Sequence, residues 1–123
     1  MRPHLIGLSV AACLAAGPAV AAAATPEATL AKECGACHMV FPASQLPARS
    51  WVAVMDGLKN HFGENASLDA ATTKQILDLL TAGAADSPGG DRHALRGLSA
   101  DQTPLRITET PYWLREHGRG RVS

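Results

Sequence analysis

Apolar positions along the chain gather into separate runs, and the breaks between them predict an all-α protein. A short basic start, Met1-Arg2-Pro3-His4, leads into an apolar run from Leu5 to Ala16, interrupted by Gly7 and Ser9. Small residues then continue to Ala24. That order predicts a secretory signal over residues 1–24 with cleavage near Ala24, too short and too lightly flanked for stable membrane insertion. Thr25 and Pro26 suit the cap and first position of a helix running through Leu30 and Ala31 into Cys34 and Cys37. Pro42 and Pro47 then make residues 41–47 a loop.

A second helix is predicted from Arg49 to Phe62, with Ser50 or a neighbour as its cap and Gly63 as its left-handed end. At about 100° per residue, Trp51, Val54, Met55, Leu58, His61 and Phe62 share one apolar stripe, which puts His61 on the buried edge of the last turn. A third helix runs from an Asp69 cap to Gly83, with Ile76, Leu79 and Leu80 inward. Residues 86–104, with Ser87-Pro88-Gly89-Gly90, read as a flexible linker holding a helical turn near His93 to Leu98. Residues 105–123 form an irregular C-terminal extension in which Ile107, Tyr112, Trp113 and Leu114 can dock, with a frayed end from Gly118. The expected organisation is thus a signal, a helical domain over 25–85, a linker and an extension.

Composition narrows the chemistry. A mature chain of about a hundred residues has a marginal apolar core unless another group helps to fill it. Charge is balanced, with 11 basic and 11 acidic side chains, and no basic face or aromatic run suits nucleic acid. Of three cysteines, Cys13 lies inside the signal, where Val10-Ala11-Ala12-Cys13 superficially resembles a lipoprotein box; a small residue within a signal is the simpler reading. Cys34 and Cys37 alone make a poor disulfide framework.

Cys34-Gly35-Ala36-Cys37-His38 is the attachment signature of c-type haem. Cysteines at i and i+3 project from one side of a helical turn, so both sulfurs reach the two vinyl groups of one porphyrin. The following histidine then faces the iron. A thioredoxin-like pair would need a preceding strand, and a structural zinc site would need a second ligand pair; neither pattern is visible. The chain is therefore expected to carry one covalent haem c. For the opposite iron face the donors are His61, His93, His117, Met39 and Met55. Met39 adjoins the proximal ligand, Met55 reads as core, and His93 lies in the linker. His61 is the preferred distal ligand, against the plainer reading of a histidine satisfied at a helix C-terminus. Two imidazoles favour ferric iron and a low potential, whereas an open face would bind gases or peroxide.

The runs Glu33 to Met39, Leu46 to Trp51, His61 to Asp69 and Arg106 to Pro111 resemble the bacterial dihaem cytochrome c family. The resemblance covers Glu33 to His117. It implies a periplasmic electron carrier, not an enzyme, with a domain similar to a small class I cytochrome c. It also implies His38 and His61 as ligands of the N-terminal haem. The family carries a second Cys-x-x-Cys-His further on, which this sequence does not contain, so this chain is expected either as a single-haem relative or as a shortened product. His117 matches a family histidine that could serve that second haem. Expected partners are periplasmic or membrane-bound redox proteins, another cytochrome among them. The alternative is a haem-based gas binder or sensor with an open distal site. Intact-mass measurement of the exported protein should give a chain beginning near Thr25 plus the mass of one haem; an unmodified mass would sink the attachment reading.

Overall fold

The computed structural model describes residues 23–118, so Cys13, nearly all of the expected signal and the end beyond Gly118 lie outside the described residues. Four α-helices carry the fold: α1 Pro26–Glu33, α2 Ala48–Asp56, α3 Ala70–Ala82 and α4 Pro111–Glu116, joined by loops with short 3-10 turns. No strand occurs among the described residues, in keeping with the all-α expectation. Helix α3 is the central element, packing against both α1 and α2.

Local sequence explains most of these boundaries. Thr25 caps α1 by accepting a hydrogen bond from the Ala28 amide, and Pro26 occupies the first turn, where its missing N–H costs nothing. Helix α1 stops at Glu33, earlier than expected, and Cys34 to Cys37 follow as turns. Asp69 caps α3 through the Thr72 amide, and Gly83 ends it. At Gly83 an added Cβ would lie 3.0 Å from the Ala43 side chain, so the glycine also lets the 41–47 loop approach closely.

Helix α2 departs most from expectation. It begins at Ala48 and ends at Asp56, with Gly57 as its C-cap; a separate 3-10 turn, Leu58–Asn60, continues towards His61. Glycine holds a helix poorly, and here it interrupts the ladder six residues before Gly63, the expected end. Nor does Ser50 cap it. Ser50 is wholly buried and its hydroxyl has no hydrogen-bond partner, whereas Pro47 stands at the cap position. The Asp86 carboxylate, 38 residues onward, accepts from the Ala48 amide at 2.8 Å and meets one of the helix's unpaired N–H groups.

That contact also changes the picture of residues 86–104, which were expected as a flexible linker. The Arg49 guanidinium donates to the carbonyls of Gln102 at 2.7 Å and Ser99 at 3.1 Å, and lies 3.8 Å from Asp86. Ala94 is buried within the 3-10 turn Arg92–Leu95, and that turn packs against α4. The segment is a strap fastened to the helical body. The extension docks, with Ile107 joining the core of Leu46, Trp51, Met55, Ile76, Leu80 and Ala84, but it is not irregular as expected: Thr110 caps α4 through the Trp113 amide and Pro111 opens its first turn. Ile76 is fully buried at the centre of this group, so Ile76→Ala should cost about 2–5 kcal/mol through lost transfer energy and a cavity. Denaturant unfolding of the haem-loaded protein measures it, and a cost below about 1 kcal/mol would remove Ile76 from the core.

Candidate functional site

Beside this core lies an apolar cleft that the side chains do not fill. It comprises two adjoining cavities of about 610 and 270 Å³, sharing His38, Phe41, Trp51, Val54, His61 and Phe62 in their walls. Its size suits a bound organic group. Cys34 and Cys37 border the larger cavity, and residues 105–108 of the extension border the smaller.

The turn after α1 sets the cysteine edge. The amides of Cys37 and His38 both approach the Cys34 carbonyl at 3.4 Å, which keeps the segment wound like a helical turn and both cysteines on the cavity. Burial, and secondarily the Glu33 carboxylate, push the Cys34 thiol above its ordinary pKa. A reactive redox pair needs the opposite, a thiolate stabilised by positive surroundings. With no strand before the motif among the described residues, the thioredoxin-like alternative loses its structural context. The zinc alternative fares no better, since among the described residues no group of three or more potential ligands comes together.

His38 and His61 face one another across the cleft. Their ring centres are 6.2 Å apart and the ring planes differ by 24°. Two imidazoles ligating one metal from opposite sides, through bonds of about 2 Å, bring their ring centres to about 6 Å. The observed spacing therefore accommodates one iron, and the apolar cavity around it accommodates a porphyrin. When His38 carries its proton on Nδ1, that group donates to the Met39 carbonyl at 2.6 Å and leaves the Nε2 lone pair for a metal. Burial, and then the neighbouring His38, hold the His61 pKa below its usual value, which favours the neutral imidazole a metal requires.

His61 does not reach this position from a helix face. Its amide donates to the Glu64 carbonyl at 2.7 Å, and the Glu64 amide returns a bond to the His61 carbonyl at 3.1 Å. Phe62 and Gly63 between them have φ of 53° and 102°, the two positive values that a type I′ turn requires. Glycine takes this conformation freely; phenylalanine in it is strained. The guanidinium carbon of Arg106 lies 4.1 Å above the Phe62 ring and packs on the strained residue from the extension. Trp51 is set by its indole N–H, which donates to the Ala43 carbonyl at 2.8 Å.

The remaining donors lie elsewhere. Met55 is buried in the core and lines the larger cavity, while Met39 is 70% exposed. His93 meets the edge of Tyr112, and His117 stacks on Trp113 with ring centres 3.8 Å apart; neither lines the cleft. Sequence reasoning missed Phe41 and the extension residues Leu105 to Thr108 as cavity walls, although the Arg106 to Pro111 run carried part of the family resemblance.

A helical body around an apolar cleft, with Cys-x-x-Cys-His at its edge, defines a cytochrome of the c type. A family model described as dihaem cytochrome c matches residues 30–123, and the chain belongs to that family. It is similar to a solved diheme cytochrome c from Rhodobacter sphaeroides, at 57% identity and a TM-score of 0.70 over 73% of this chain and 71% of that one. A second structure, of DHC purified from Rhodobacter sphaeroides, matches at 50% identity and a TM-score of 0.61, covering 72% of this chain and 68% of that one. The diheme cytochrome type c of Shewanella baltica OS155 matches at 37% identity and a TM-score of 0.58, over 76% of this chain and 63% of that one. No curated protein matches the chain. Membership implies covalently bound haem c.

The strained turn makes a specific demand at position 62. Phe62→Val, with a β-branched side chain in a left-handed conformation, should destabilise the protein by about 1–3 kcal/mol. Phe62→Asn should keep the turn, because asparagine tolerates that region. Thermal melts compare the two; equal losses would mean that backbone conformation is not what limits this position.

Proposed function

We propose that the chain is a periplasmic electron carrier with one haem c, joined through Cys34 and Cys37 and ligated by His38 and His61. The observation that carries this reading is the pair of imidazoles 6.2 Å apart across an apolar cleft bordered by both cysteines. The Cys-x-x-Cys-His of this sequence supplies the attachment point for that haem. Export rests on the basic, apolar and small-residue order of residues 1–24. Among the described residues no helix is long and apolar enough to cross a membrane.

Haem, when bound, supplies one-electron exchange between ferric and ferrous iron. The protein's part is to hold that iron and control access to it. His38 and His61 would both ligate the iron, and two imidazole donors would favour the ferric state and a low potential. With both sides of the iron so held, oxygen and peroxide would be kept from the metal. Phe41, Trp51 and Phe62 line the cleft with apolar surface. Its partners are periplasmic or membrane-bound redox proteins, another cytochrome among them, met through small contacts that release quickly.

Carbon monoxide separates this reading from a gas binder. The reduced wild-type protein should keep its low-spin spectrum under carbon monoxide, whereas His61→Ala should become five-coordinate and bind it. Rapid binding by the wild type would overturn the bis-histidine carrier, and an unchanged spectrum in His61→Ala would move the distal ligand elsewhere.

A further inference from the structure

The cleft is electrically uneven along its length. Glu33 borders the larger cavity beside Cys34, Glu64 borders it from the His61 turn, and Arg106 borders the smaller one. Among the described residues that line either cavity, Arg106 is the single arginine or lysine. Its guanidinium is half-exposed at 52%, and its contact with the Glu109 carboxylate is long, at 3.4 Å. A contact so long and so wet constrains the side chain weakly. The guanidinium carbon also lies over the Phe62 ring, 4.1 Å from its centre, and the group's remaining N–H donors can serve a second carboxylate.

Haem carries its own polarity. Its two vinyl groups and its two propionates occupy opposite edges of the porphyrin. Thioether attachment at Cys34 and Cys37 would hold the vinyl edge in the larger cavity, so the propionate edge would fall away from the cysteines, towards residues 105–108. Glu33 repels carboxylates from the cysteine end, while a cation stands at the other end. We infer that Arg106 binds a haem propionate, with its N–H groups donating to the carboxylate while its face rests on Phe62. This rests on the single-haem reading above. Arg106 is then a positioning residue: it joins the C-terminal extension to the cofactor's acidic edge and places a positive charge near the iron. A positive charge there favours the ferrous state.

The experiment uses haem-loaded full-length protein, each variant checked first by intact mass and for a low-spin spectrum. Arg106→Met keeps an apolar stem to lie on Phe62 but removes the charge and the donors. It should shift the propionate bending band in resonance Raman spectra and lower the midpoint potential. Arg106→Lys should restore the potential in large part, and Glu109→Gln, which removes the competing carboxylate, should raise it. Arg92→Met measures the effect of losing one charge away from the cleft, and should leave the band in place. An unmoved band and potential in Arg106→Met, in a variant that holds its haem, would overturn the inference and leave the carrier reading intact. The same result is expected if Arg106 merely supports Phe62. A chain that carries no covalent haem would overturn both.

Discussion

The fold is organised around a volume that its own side chains leave open. A small core of Leu46, Trp51, Met55, Ile76, Leu80, Ala84 and Ile107 packs on one side of the cleft, and His38 and His61 stand across it from one another. A chain this short buries a limited fraction of its surface, so its own apolar contacts supply little margin. The haem c implied by family membership supplies the missing apolar body. Dependence also runs the other way, because the elements that make the cleft have few other reasons to stay in place. The turn carrying His61 is mostly exposed, as is the Phe41 side chain at the start of its loop, and each contributes apolar surface to that wall.

Strain is concentrated at the same point. A type I′ turn built on Phe62-Gly63 puts a bulky residue in a left-handed conformation, which the surrounding structure must hold. Its reward is geometric. The tight turn reverses the chain within two residues, so the His61 ring enters the cleft while the Phe62 ring lies beneath Arg106. A regular helix through this region, as the apolar stripe suggests, would tie the orientation of His61 to that of Met55 and Leu58. The break at Gly57 frees it from the α2 face.

Long-range polar contacts hold the second half of the chain to the first. Asp86 completes the N-terminus of α2, and Arg49 on that helix gathers two carbonyls from residues 99–102. Gly97, with φ of 85°, brings the strap close to Pro111 at the start of α4. Through this strap the extension arrives with Ile107 in the core and Arg106 at the rim of the cleft. Residues 25–85 thus do not form the wall of the site alone.

The sequence by itself determined the all-α class, the caps at Thr25 and Asp69, Ile76 and Leu80 on the inward face of α3 (though Leu77 rather than Leu79 packs beside them) and the family. These depend on neighbours within a turn or two, or on a contiguous motif such as Cys34 to His38, whose spacing is itself the chemistry. It also singled out His61, though by a route the structure replaced: an apolar stripe extended across Gly57, when a local break and a two-residue turn were what aimed the ring. Tertiary structure alone decided what is joined at long separation. A cap supplied from Asp86, a strap held by Arg49 and the pairing of Arg106 with Phe62 leave no periodic trace. Each depends on where the chain returns after a loop, and local propensity does not encode that. The separation of His38 and His61 belongs with them, since 6.2 Å is a property of two turns packed on the same core and not of either turn alone.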